Sequence, residues 1–510
     1  MDKENEFAID LNKDLIIQLQ QQELQHYREL TKALQKSNLL QQELIENQVI
    51  LKGRQDEQIE LLHLHVKTLT ERIEELENNQ KKNSGNSSKP PSTDIGKVSR
   101  TKSLRQPSGK LPGGQPGHKG TTLEITATPD IIEVQRVKTC SCCGKNINGI
   151  KSLDYECRQV FDMPAIKLWV KEYRSEIKSC PHCSAVTRAS FPAGVSQPVQ
   201  YGKEIHKLAV YFSNYQLLPY SRTAQLFEDL LGHRISEASL VSMNKRCADN
   251  LGDFMTELTQ TISSEAVIHA DETGYYYNGQ RNWLHVLATQ QHTLYKPHAK
   301  RGKEAMDEMG VLPFYNGRLI HDFWKPYNEY ECQHGLCNVH HLRDLTFCAE
   351  IEKSQWAAEM KQLLIDLHKK VETARNEKVN ALTIGQISYW SAKYDRLLKA
   401  GWEQHPPPKK QKGKRGAVKR TKTQNLLQRF GNYKESIFSF ARDFTIPFGN
   451  NLAEQAIRMM KVKQKISGCF RSEQGANTFA IIRSYISTMQ KQGKPILDAL
   501  EYPIMVKFSS

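Results

Sequence analysis

The sequence predicts a multidomain α+β protein, and three observations carry that prediction. A Leu- and Gln-rich amino-terminal stretch has helical spacing, two Cys-x-x-Cys pairs follow it, and short β-like runs between residues 262 and 320 precede long helical sequence. At 510 residues the chain has room for about three domains. Hydrophobic residues make up 38%, enough for more than one core, so wholesale disorder is excluded. No run approaches the ~18 apolar residues of a membrane span, and the acidic start MDKENEFAID is unlike a secretory signal. A soluble, cytoplasmic protein with no membrane partner is expected.

Residues 1–80 are expected to form a helical coiled coil. Ile59, Leu62, Val66, Leu69, Ile73 and Leu76 alternate at spacings of three and four, with Glu71, Arg72, Glu74, Glu75 and Glu77 between them. Upstream, from Leu15 to Leu51, the phase drifts, and Gly53 interrupts, so two helical pieces are expected. The apolar stripe is narrow, which favours pairing with a second copy over packing on its own domain. Residues 81–125, rich in Pro, Gly, Ser and Asn, read as a linker.

Residues 126–195 read as a zinc-binding module. Cys140, Cys143, Cys180 and Cys183 form two Cys-x-x-Cys pairs, separated by strand-like sequence containing Val160, Phe161, Leu168, Trp169, Val170 and Tyr173. A small sheet that joins the pairs would offer four thiolates in a tetrahedron, which suits a structural Zn²⁺ with no open position. The bland alternative is reduced, buried cysteines, and Cys142 and Cys157 remain as spare thiols.

Residues 196–260 read as a helical DNA-binding region. Tyr220 to Leu231 forms one amphipathic helix ended by Gly232, and a second begins at the N-cap Ser236 with Glu237 in its first turn. Two short helices so joined can place the second in a major groove, with Ser239, Ser242, Asn244 and Lys245 reaching bases or phosphates. An ordinary helical hairpin has the same pattern.

Beyond residue 260 the β-like runs Ala266 to Ala270, Trp283 to Thr289, His292 to Tyr295 and Leu319 to Ile320 predict a mixed sheet, with Asp271 and Asp322 ending the first and last. This core is assigned to residues 261–345 and 441–495, split by a helical insertion at 346–440 and followed by a tail at 496–510. In the second part Asn451 is expected to cap a helix carrying Glu454 in its first turn, with Arg458, Lys461 and Lys465 at helical spacing. Carboxylates on one rim can hold divalent ions. Charge supports a polyanion partner. The net charge is +15, yet residues 1–80 carry −7 and the remainder +22, with basic runs at 81–120 and 405–423.

Six motifs then resemble one family in order. NSGNSSKPPSTD, GGQPGHKG, the paired Cys-x-x-Cys, HADETGYYYNGQRNWLHV, LIHDFWKPYNEYECQHGLCNVHHLRDL and NNLAEQAIRMMKVKQKISGCFRSEQGA are similar to the large transposase of the insertion sequence sixty-six family. The likeness runs from about Asn83 to the C-terminus. It implies a DDE-type transposase with a ribonuclease-H-like core that uses two Mg²⁺ (or Mn²⁺) ions for DNA phosphoryl transfer. The motif matches place the triad at Asp271, Asp322 and Glu454, with His340, Arg343, Arg458 and Lys465 as phosphate or strand contacts. Its implied partners are the terminal inverted repeats, target DNA and small accessory proteins, in a prokaryotic cell and near the nucleoid.

Two departures stand out. The family pattern has Asp before the Asn pair and Arg after the Glu, where this chain has Gly449 and Gln455. The metal ligands survive, while their supporting groups come into question. The alternative function is therefore a catalytically silent DNA-binding regulator. A zinc hydrolase built on Cys332, His334, Cys337, His340 and His341 is the third reading, disfavoured by irregular spacing.

Overall fold

The computed structural model describes residues 3–81, 117, 123–408, 418 and 420–505. Residues 1–82 and 83–510 form two compact units. In the first, one helix, α1 (Lys3–Gln80), runs unbroken where two pieces were expected. A lone glycine costs about 1 kcal/mol against alanine, too little to stop a helix with strong formers on both sides. The seam residues Ile59 through Leu76 are 50–62% exposed. Most of the linker, and the basic run at 409–417, lie outside the described residues.

The expected sheet across Val160 to Tyr173 does not form. The cysteine region holds one small antiparallel hairpin, β1 (Ile177–Ser179) with β2 (Val186–Arg188), and an isolated bridge between Thr139 and Asn146. Val160, Trp169 and Val170 are exposed on irregular backbone. Among the described residues no second layer covers this apolar run, and it stays exposed.

Four helices lead into the core: α2 (Lys203–Val210), extended by a π-helical turn at Tyr211–Tyr215, α3 (Tyr220–Leu231), α4 (Glu237–Asp249) and α5 (Gly252–Ser264). Both caps read from the sequence are present. Gly232 ends α3 in the left-handed region, and the Ser236 side chain accepts the Ser239 backbone N–H.

The sheet comprises β3 (Val267–Tyr277), β4 (Gln280–Ala288), β5 (Thr293–His298), then, after α6 (Lys303–Asp307), β6 (Arg318–His321) and β7 (Gln333–Leu336). Its order is β5-β4-β3-β6-β7, antiparallel among the first three strands and parallel from β3 to β7. The expectation that Asp271 ends its strand is corrected: β3 continues to Tyr277 and turns at Asn278 and Gly279, both at positive φ. That pair suits the tight turn whose twist matches a hairpin.

Helices cover both faces of the sheet. Five helices follow, α7 (Asn338–Glu350), α8 (Gln355–Asn376), α9 (Ile384–Gln404), α10 (Lys422–Asn432) and α11 (Lys434–Arg442), before α12 (Asn451–Ser467) and α13 (Glu473–Lys491). Ile268, Ala270 and Leu287 pack against Leu258 and Ile262 of α5, while Tyr275, Leu284 and Tyr295 pack against Ile457, Met460 and Phe479. The outer edge of β5 is closed by hydroxyls, since the backbone N–H groups of Thr293 and Tyr295 donate to Thr488 and Ser484 of α13. Trp356, Tyr394, Phe430 and Phe438, one from each of α8 to α11, share a core with Ile320 of β6 and Leu336 of β7. The expected tail instead forms α14 (Ile496–Ala499) and α15 (Glu501–Met505), with Leu500 and Ile504 buried against Val210 and Ile486.

Candidate active site

Two of the three carboxylates are placed by strand pairing. β3 runs parallel to β6 through His269, opposite Ile320, and Asp271 lies two residues beyond that last pair. Asp322 follows β6 directly. Both side chains therefore emerge where neighbouring parallel strands part, the place where an α/β sheet opens a crevice. The Asp322 carboxylate accepts the Trp324 N–H at 3.0 Å, and that of Asp271 accepts the Glu272 N–H at 2.9 Å.

The third is placed by a helix tied to the same strand. Glu454 lies in the first turn of α12, whose N-cap is Asn450 rather than the expected Asn451. Asn450 does not cap with its side chain. Its amide donates to the Ala270 carbonyl at 2.8 Å and its oxygen faces His269 Nδ1 at 2.9 Å. Burial pushes His269 down to about 4, so the ring is neutral. Farther along α12, Lys461 donates to the Gly274 carbonyl at 2.7 Å and Tyr295 to the Ala456 carbonyl at 2.8 Å.

Negative charge accumulates at this crevice. Burial, then the carboxylates of Glu272 and Asp322, push the Asp271 carboxyl well above the usual range. Burial and Asp322 raise Glu272 in the same direction. Burial opposes a proton on His340, yet Cys337, Glu454 and Asp322 outweigh it and hold the imidazolium up to about 9. The carboxylate of Glu454 lies 3.7 Å from His340 Nδ1 and 3.8 Å from Cys337 Sγ.

Sequence reasoning missed the network behind Asp271. Glu272 is buried, and its carboxylate accepts Arg301 Nε and Nη2 at 2.9 and 2.6 Å and the Tyr327 hydroxyl at 2.6 Å. The Arg301 guanidinium lies 4.8 Å from the Trp283 ring and 4.2 Å from the Trp324 ring. The available signal was Glu272 itself, a second acid inside a strand. Its partners, distant in sequence, carried none.

The cysteine pairs build two copies of one loop. The Cys140 N–H donates to the Lys145 carbonyl and its carbonyl accepts Gly144 N–H; Cys180 does the same with Ala185 and Ser184. Gly144 and Ser184 occupy the same left-handed position. Backbone N–H groups of Cys143 and Cys142 lower the Cys140 thiol, and those of His182 and Cys183 lower Cys180. Such loops favour thiolates, the form that binds metal. Among the described residues, no three of these sulfurs lie within 4.8 Å of one another.

Residues 198–478 match the model of the transposase IS66 family. The chain belongs to the IS66 transposase family. Residues 137–184 match the zinc-finger binding domain of transposase IS66, and residues 18–124 match a family of unknown function. That match supports a structural zinc at the twin cysteine loops. No curated protein matches the chain.

In this member of the IS66 transposase family the remaining site residues divide by exposure. Arg458 and Lys465 are exposed on α12, whereas Lys461 is half-buried on β3. Arg343 is half-buried, and Asp344 pairs with Arg429 and Lys422 instead of with it. On α4, Ser242 and Lys245 are exposed and Ser239 is half-buried against Ser236. Asn244 is corrected: it is buried, donating to the Leu240 carbonyl, and cannot reach a base. The His-rich set also divides. His334 bonds His321 and Tyr330, His341 is buried against Asn338, and Cys337 and His340 face Glu454. Both departures are accommodated. A Cβ on Gly449 would stand 2.9 Å from Val339 Cγ2, so Val339 fills that space, and Gln455 is exposed.

Proposed function

We propose that this chain is an active DDE-type transposase that cleaves the ends of its insertion sequence and joins them to target DNA at Asp271, Asp322 and Glu454. The observation that carries the reading is the anchoring of all three carboxylates to one strand neighbourhood: two at the parting of β3 and β6, the third on a helix held to Ala270 by Asn450. The strand order, with an antiparallel β3-β4-β5 meander continued by parallel β6 and β7, supports a ribonuclease-H-like core.

The donor set suits Mg²⁺ or Mn²⁺, because carboxylates are hard oxygen ligands and the surplus negative charge that raises Asp271 calls for a cation. Asp271, Asp322 and Glu454 would hold such ions, whose chemistry would be to activate an attacking hydroxyl and stabilise a leaving oxygen. The protein does the positioning. Asn450 fixes Glu454 relative to Asp271, while Arg301 and Tyr327 occupy both oxygens of Glu272 and keep it turned away as a support. His340, Arg343, Arg458 and Lys465 supply cations for the scissile strand, and Ser239 and Lys245 on α4 supply contacts to the terminal repeats. The exposed α1 seam supports pairing with a second copy, and the twin loops supply Cys140, Cys143, Cys180 and Cys183 to one zinc.

The test is cleavage of a DNA carrying the element's ends. Asp271→Asn and Glu454→Gln are each expected to cut Mg²⁺-dependent cleavage by about a thousandfold or more, with DNA affinity retained. Normal cutting by either variant would remove the triad assignment. Tight binding by the unaltered chain with no cleavage in Mg²⁺ or Mn²⁺ would favour the silent regulator.

A further inference from the structure

We propose that Cys337, His340 and Glu454 form a second zinc site, which withholds the active-site glutamate when it is filled. A thiol sulfur, an imidazole nitrogen and a carboxylate oxygen from these residues all lie within 4.8 Å of one another. A tetrahedral zinc ion with bonds of about 2.0–2.3 Å keeps its ligands roughly 3.3–3.8 Å apart. Glu454 Oε1 already stands 3.8 Å from Cys337 Sγ and 3.7 Å from His340 Nδ1.

The surroundings point the same way. Cys337 precedes α7 and His340 lies in its first turn, so the two project together, and α12 brings Glu454 against them. His340 Nδ1 is shielded from water and has no hydrogen-bond partner among the described residues. Cys337 Sγ is buried and accepts the Asn450 backbone N–H at 3.2 Å, an outer contact of the kind that steadies a thiolate ligand. Sulfur with imidazole and one carboxylate is a donor set for zinc or cobalt rather than magnesium. Three protein ligands also leave a fourth position for water or a phosphate oxygen.

The site stands independently of the reaction, whereas its effect on activity rests on Glu454 belonging to the catalytic set. A glutamate held by zinc is lost to magnesium, so zinc would silence cleavage.

The experiment uses the full-length chain, stripped by chelation, reloaded with zinc chloride, desalted and assayed for zinc by mass spectrometry. The unaltered protein is expected to carry one zinc more per chain than either Cys337→Ser or His340→Asn. Equal zinc in all three would overturn the site. Should one variant fail to fold, cobalt loaded into a Cys140→Ser/Cys180→Ser chain gives a second reading. A thiolate-to-cobalt absorption band is expected there, and its absence also overturns the site. Zinc titrated into the Mg²⁺-dependent cleavage reaction reads the consequence separately. Cleavage that persists with the extra zinc bound would leave the site in place and remove Glu454 from the catalytic set.

Discussion

Val160, Trp169 and Val170, between the two cysteine loops, are 77–89% exposed, while Ile268, Leu284 and Leu319 in the sheet are at most 1% exposed. The first region owes its order to short backbone hydrogen bonds closed on Cys140 and Cys180. The second owes it to helices packed on both faces of five strands. Only the second buries enough apolar surface to repay its own ordering entropy. A zinc ion held by the cysteine loops, which the zinc-finger family match supports, would supply the missing folding free energy, roughly 10–16 kcal/mol in small zinc modules.

Removing zinc should therefore break the comparison most strongly. Chelation, or Cys180→Ser, is expected to open residues 123–200 to limited proteolysis while the calorimetric transition of the sheet region stays in place. If both regions melt together on chelation, they are one cooperative unit and the contrast is wrong. Cavity mutations should act the other way. Phe430→Ala, at a site stacked with Tyr394 and edge-on to Trp356, should destabilise the core by about 3–5 kcal/mol in urea unfolding. Trp169→Ala should change it by less than about 0.5 kcal/mol.

The same contrast explains what could be read in advance. The Cys-x-x-Cys pairs, the Gly232 stop and the Ser236 cap are local, and local spacing was enough to find them. The continuation of β3 was also signalled, by Asn278-Gly279, but the acid-containing run before it looked like a strand end. Glu272, Asn450 and Cys337 gain their roles from partners that arrive from far along the chain, such as Tyr327 for Glu272 and Ala270 for Asn450. Asn450 was legible as part of a motif, yet its task of tying α12 to β3 is visible only in three dimensions. The apolar run at Val160 to Tyr173 shows the converse, since strand-like composition makes no strand where the run is left exposed among the described residues.

Asn450→Ala tests that tie. It leaves the Ala270 carbonyl and His269 Nδ1 without their buried partner, which should cost about 1–3 kcal/mol. Cleavage should fall further than stability alone explains, because Glu454 loses its register on Asp271. Equal cleavage per folded molecule, measured as kcat at a temperature well below the melt, would show that α12 is held by Lys461 and Tyr295 instead.

Acid offers the smallest test, and it separates the two regions by the residue that titrates. Burial, aided by the Arg246 charge, pushes His206 down to about 4 from its ordinary 6.5. Its folded value is depressed, so the unfolded chain takes up the proton first. The stabilisation is complete above about pH 6.5 and is lost as pH falls towards 4, about 1 kcal/mol of it by pH 5.5. His206→Gln should flatten that slope in the core's thermal transition. It should leave the acid profile of zinc release unchanged, because that profile follows protonation of the thiolates at Cys140 and Cys180. A zinc-release curve that moves with His206 would mean that α2 and the cysteine loops share one folding equilibrium.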